Sequence, residues 1–210
     1  MFGNAEVEMM DDTVLVERFK VHGDKRAFEA ILSKYENQVY RFGYRMCGHP
    51  QDAEDIVQDT FESAYRYLKD FRGEASLLSW LLKIASSACI KKRRLRKDQP
   101  KNLLSYEALQ EVGGAEVELA TPQAETPADQ IVASEMKKKL EELLHTIPEH
   151  YRIVLVLRDI EGVSSREAAE ALDISETAAK VRLHRARAML FKKFEEVYHG
   201  QVQERRATSL

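Results

Sequence analysis

Long apolar runs are missing from this chain: none approaches the roughly 20 residues that a membrane-spanning helix needs. The opening stretch MFGNAEVEMMDD is acidic where a secretory leader would be basic and then apolar. The expectation is a protein of the cytoplasm with no membrane insertion. Cysteine is scarce as well. Cys47 and Cys89 stand alone, with no CxxC spacing and no His/Cys cluster beside them, which argues against a disulfide framework and a zinc site. Paired carboxylates, a nucleophile with its base, a glycine-rich phosphate loop and metal-ligand spacings are lacking too. An enzyme is therefore the least supported class, and no cofactor, metal or small-molecule substrate is called for. No alternating strand pattern competes with helical spacing, so the fold class expected is all-α.

What is present is charge, carried by 32% of the residues and strongly segregated under a formal net charge of -3. Residues 1–70 hold 9 basic and 14 acidic side chains, whereas Phe71 to Lys101 hold 9 basic and 2 acidic. Asn102 to Glu142 return to acid, with 3 basic against 9 acidic, and Thr177 to Phe194 carry 6 basic and no acidic residue. Two cationic patches in an acidic background fit two contacts with a polyanion, other surfaces being left for protein partners.

Periodicity divides the chain into helices. A short one from about Thr13 to Val21 precedes a long amphipathic one capped by Asp24, with Phe28, Ile31, Leu32, Tyr35, Val39, Phe42 and Met46 at helical spacing. Gly48-His49-Pro50 stops it. A third helix begins near Gln51, buries Ala53, Ile56 or Val57, Phe61, Ala64 and Leu68, and turns Asp52, Asp55, Gln58, Asp59 and Glu62 largely elsewhere. After Phe71-Arg72-Gly73 a fourth runs from Ser76 to Lys97, ending in Lys91, Lys92, Arg93, Arg94, Arg96 and Lys97. Pro100, Gly113-Gly114, Pro122 and Pro127 mark a flexible linker, after which Asp129 caps a helix through Leu144. Pro148 then opens another helix, which Gly162 ends.

The C-terminal part spells a helix-turn-helix. Ser164-Ser165-Arg166-Glu167 is a capping box for a helix from Ser165 to Leu172, Asp173-Ile174-Ser175 makes the turn, and Ser175 caps the next helix. In that helix Ala179, Leu183, Ala186 and Leu190 form one apolar stripe. At about 100° per residue, Thr177, Val181, His184 and Ala188 point the other way, with Arg185 beside them and Lys180 and Arg187 on a flank. Such a basic second helix suits the major groove. Lys180 and Arg187 reach phosphates, Arg185 and His184 reach purine acceptors, Val181 reaches a thymine methyl, and Arg182 pairs with Glu167 or Glu170.

Ile147-Pro148-Glu149-His150-Tyr151-Arg152-Ile153-Val154-Leu155, Glu161-Gly162-Val163-Ser164 and Val181-Arg182-Leu183-His184-Arg185-Ala186-Arg187 resemble the C-terminal domain of bacterial sigma factors of the extracytoplasmic-function group. Asp52-Ala53-Glu54-Asp55-Ile56-Val57-Gln58-Asp59-Thr60-Phe61, with Phe71-Arg72-Gly73-Glu74-Ala75-Ser76 and Trp80-Leu81, resembles sigma region 2 of the same family. The resemblance implies a region 2 domain at 1–98, a linker at 99–128, a region 4 helix-turn-helix domain at 129–199 and a tail at 200–210. It also implies binding to the beta and beta-prime subunits of core RNA polymerase, promoter-specific initiation, and an anti-sigma protein as regulator. Carried over by position, Asp55, Gln58, Asp59 and Glu62 meet the polymerase, while Arg72, Ser76, Lys83, Ser87, Lys91 and Lys92 serve the minus-ten element and its melting. Thr177, Lys180, Val181, His184, Arg185 and Arg187 read the minus-thirty-five element. The competing reading is a stand-alone helix-turn-helix repressor or activator, which would bind palindromic duplex DNA tightly without polymerase.

Overall fold

The computed structural model describes residues 10–97, 136 and 139–207, and the side chains of all of these but 94–97 and 198–207. The linker expected at 99–128 and most of the helix expected from Asp129 lie outside the described residues. All regular structure among the described residues is helical. Contacts gather the chain into two compact units, one within Met1–Lys101 and Val163–Glu176, the other within Asn102–Gly162 and Thr177–Leu210.

In the first unit, Asp11 caps α1 (Asp12–His22) by accepting from the Thr13 amide at 2.8 Å, and Gly23 ends it at φ 62°. Only a residue without a Cβ enters that left-handed region freely, and Gly23 uses the freedom to turn the chain at once into α2 (Lys25–Cys47), capped by Asp24. Gly48 closes α2 in the same way, and Pro50 opens α3 (Pro50–Tyr67) at a position where its missing N–H costs nothing. A 3-10 turn, Leu68–Asp70, leads out of α3. Ser76 Oγ then accepts from the Ser79 amide at 3.0 Å, capping α4 (Leu77–Lys97). The core holds Leu15, Phe19, Ile31, Val39, Phe42, Ile56, Leu68, Leu81 and Leu82, all essentially sealed from water. A short α6 (Ser165–Leu172) packs on α4 through its alanine face, Ala168, Ala169 and Ala171.

The second unit begins with a helical stretch at 139–144, which buries Leu143 and Leu144. It continues in α5 (Glu149–Leu155) and α7 (Glu176–Ala207). Ile153 to Leu157 are buried without a break, so this segment meets neighbours all round. The helix expected to run straight from Pro148 to Gly162 changes pitch after Leu155, where Val156–Ile160 form a π turn. Such a turn inserts one residue into the ladder and re-aims the side chains beyond it. Here it carries Asp159 to the Arg187 guanidinium of α7, which grips it with two parallel hydrogen bonds of 2.8 Å. The buried stripe of α7 is the expected one, Ala179, Leu183, Ala186 and Leu190. The helix continues through Ala207, into the stretch expected as a tail.

Candidate nucleic-acid interface

On α7 the buried stripe fixes the rotation of the helix, and the opposite side follows from it. Thr177, Val181 and His184 are exposed there, Val181 at 46% despite being aliphatic, with Arg185 exposed beside them and Lys180 exposed on the flank. No acidic residue lies among them. Arg187 belongs elsewhere. Its bidentate pair with the nearly buried Asp159 makes it a strut between α7 and the π turn, where the sequence reading had a phosphate contact. Nothing in the sequence marks that pair, because 28 residues separate its members. Glu167 and Glu170, named as partners for Arg182, are engaged by Ser164 and Arg166 respectively.

The first unit brings together most of the other candidates. Arg72, Ser76, Lys83, Ser87 and Lys91 are exposed on α4 and the loop before it. Ser76 caps the helix, and the Ser87 hydroxyl turns back onto the Lys83 carbonyl at 3.1 Å. Lys92 departs from the expectation of a phosphate contact: its ammonium lies 3.0 Å from Asp52 and 2.5 Å from Asp55. Burial opposes its charge, but the hydrogen bonds it donates to Asp55 and Asp52 outweigh burial and push the ammonium pKa up. Asp52, read from the sequence as facing away from the core, is buried beneath this pair. Trp80 is half-buried against Phe71, ring centroids 5.3 Å apart, and half-buried Ile84 shares its side of α4; the sealed face is Leu77, Leu81, Leu82, Ala85 and Cys89.

On α3, Asp55, Gln58, Asp59 and Glu62 are exposed together. Gln58 donates to Glu62 at 2.9 Å, and Arg66 stands 3.6 Å from Glu62. Beside them opens a groove of about 500 Å³ floored by Phe28, Leu32, Val57, Phe61 and Tyr65. Its apolar floor was legible as helical periodicity; its openness was not. At the loop end of α4, Glu167 of α6 accepts from the Ser79 hydroxyl and the Ser76 amide, and it also closes its own capping box with Ser164. Those bonds, led by the one from Ser164, hold its carboxyl below the ordinary value despite opposing desolvation. Among the described residues no group of His, Cys, Asp and Glu could hold a metal ion, and no helix is long and apolar enough to cross a membrane.

Residues 31–99 match the family model of sigma-70 region 2, and residues 137–190 match that of sigma-70 region 4. The chain is 30% identical to the ECF RNA polymerase sigma-E factor of Haemophilus influenzae over 190 residues, which is 90% of this chain and 97% of that protein.

The chain belongs to the extracytoplasmic-function sigma factors.

As a member it binds core RNA polymerase and directs promoter-specific transcription initiation, and a stand-alone repressor is not favoured. This sigma factor is also 31% identical to the ECF RNA polymerase sigma factor SigW of Bacillus subtilis, over 83% of this chain and 92% of that protein. Its fold is similar to CnrH in a complex with the cytosolic domain of CnrY, with a TM-score of 0.59 at 23% identity, covering 88% of this chain and 97% of that one. The sigma factor RpoE of Bartonella quintana, solved with the anti-sigma factor NepR, has a TM-score of 0.57 at 20% identity, covering 80% and 96%.

Proposed function

We propose that this sigma factor divides promoter recognition between its helices. The exposed face of α7, Thr177, Lys180, Val181, His184 and Arg185, reads the minus-thirty-five element in the major groove. The observation that carries this is the exposure of Thr177, Val181 and His184 opposite the buried stripe, with the exposed cations Arg185 and Lys180 beside and flanking them and no acid among them. Arg72, Ser76, Lys83, Ser87 and Lys91 receive the non-template strand of the minus-ten element. Phosphate contacts there offset the few kcal/mol or so that extruding a base takes. The acid and amide face of α3, Asp55, Gln58, Asp59 and Glu62, meets a basic surface of the polymerase, and the neighbouring groove accepts an apolar side chain beside it. The region 2 part spans 1–98 and the region 4 part 129–199, with 99–128 between them, and the protein works in the cytoplasm without chemistry of its own. Regulation by an anti-sigma protein is part of the proposal, supported by the complexes in which similar folds were solved.

The test is reconstituted transcription from a genomic promoter library with purified core. Promoter-specific initiation is expected, and initiation no better than with core alone would overturn the reading. Replacing Lys180 and Arg185 together by alanine should lower initiation about tenfold or more, one good base contact being worth roughly 1–3 kcal/mol, with core affinity unchanged. Gln58→Ala with Asp59→Ala should do the opposite, weakening core binding in a fluorescence titration.

A further inference from the structure

Two residues assigned to different surfaces hold each other. Lys92 of α4 sits between Asp52 and Asp55 of α3, at 3.0 and 2.5 Å. The two carboxylates differ in what they can do. Asp52 has a side chain only 7% exposed, so its charge needs a cation where it lies, and Lys92 meets it there. The Asp55 side chain is 56% exposed and shares the solvent side of α3 with Gln58 and Asp59, so a partner's cation can reach it. Lys92 itself is 20% exposed, five residues beyond the exposed Ser87 and next in sequence to the exposed Lys91.

We propose that the Asp52–Lys92–Asp55 cluster couples polymerase binding on α3 to promoter-strand binding on α4, through competition for Asp55. A basic group of the polymerase that takes Asp55 displaces Lys92 from it. Asp52 keeps the ammonium on α4, but one carboxylate then neutralises it where two did before, and its attraction for a nearby phosphate rises. The reverse holds equally. A phosphate beside Lys92 loosens its hold on Asp55 and leaves that carboxylate to the polymerase. Each ligand therefore raises the affinity for the other by the same factor. The inference rests on the assignment of α3 to the polymerase and α4 to the promoter strand.

The experiment titrates core polymerase with the full chain, with and without a saturating single-stranded oligonucleotide from a promoter that the holoenzyme transcribes. The parent protein should bind core more tightly when the oligonucleotide is present. Lys92→Met and Asp55→Asn should each shrink that gain about fivefold, at the low end of typical coupling between sites. The two together should shrink it no further, because they break one link. A cluster that only braced the two helices would leave the gain unchanged. Lys92→Met strips the buried Asp52 of its cation and can fail to fold; Asp55→Asn keeps that pair and carries the test alone. Gains equal to the parent's in both variants, or losses that add, overturn the inference, as does a parent that shows no gain. If Gln58→Ala with Asp59→Ala leaves core affinity intact, the assignment of α3 fails and the inference goes with it. If that pair weakens core binding while Asp55→Asn keeps the full gain, the inference fails alone.

Discussion

Single side chains here are set by caps and ion pairs, and their worth follows from what each would leave unpaired. Ser164 and Glu167 satisfy each other's orphan backbone donors at the start of α6. Ser164→Ala should therefore lower stability by about 1 kcal/mol, measured by urea denaturation. Because hydrogen bonds led by that from Ser164 hold the Glu167 carboxyl below its ordinary value of 4.5, its contribution is fully present above that value. It is lost as the pH falls through the lower folded value. A thermal melt of Glu167→Gln should accordingly differ from the parent at neutral pH and converge on it in acid. Arg187→Ala should cost about 2 kcal/mol, since it strands Asp159, whose side chain is 9% exposed. Promoter selectivity should survive that substitution once the temperature is lowered, and a changed preference at the upstream element would return Arg187 to the DNA surface.

Among the elements, α2 and α3 approach closely at Gly43. A Cβ at Gly43 would stand 3.3 Å from the Ala53 backbone and from Ile56, so the glycine is there for spacing, and its helical φ plays no part. Gly43→Leu should push the helices apart at a cost of about 2–3 kcal/mol, read as a lower midpoint in urea with little change in slope. The helix starts and stops were readable because they are local: Asp24, Gly48, Pro50, Ser164 and Gly162 act on their own neighbours. The π turn at Val156–Ile160 was not readable, since an apolar run buried on all sides shows no period to interrupt. Its consequence, Asp159 facing Arg187, stayed hidden because 28 residues separate the two. So did the burial of Asp52, which helical spacing places on the polar side of α3 but which α4 covers with Lys92.

For the molecule as a whole, charge decides how it meets DNA. With a formal net charge of -3 the full chain is repelled by a polyanion except at its cationic patches. Free in solution it should bind promoter duplex weakly and with steep salt dependence, and Lys180→Ala should flatten the slope of log K against log salt by about 1 in fluorescence anisotropy. Core polymerase should supply the rest by holding several weak contacts at once, so the holoenzyme should bind the same duplex more tightly in that assay. Composition, helical periodicity and family motifs by themselves determined the all-α class, the two cationic patches, the caps at Asp24 and Ser164, the buried stripe of α7 and the face opposite it. All of these depend on residues within one or two turns of each other, where sequence spacing is spatial spacing. Only the tertiary structure decided which cations on those faces stay exposed and which are paired. Lys91 and Lys92 are chemically identical neighbours, yet one faces solvent and the other is clamped by two carboxylates from another helix. Packing between segments some 40 residues apart makes that choice.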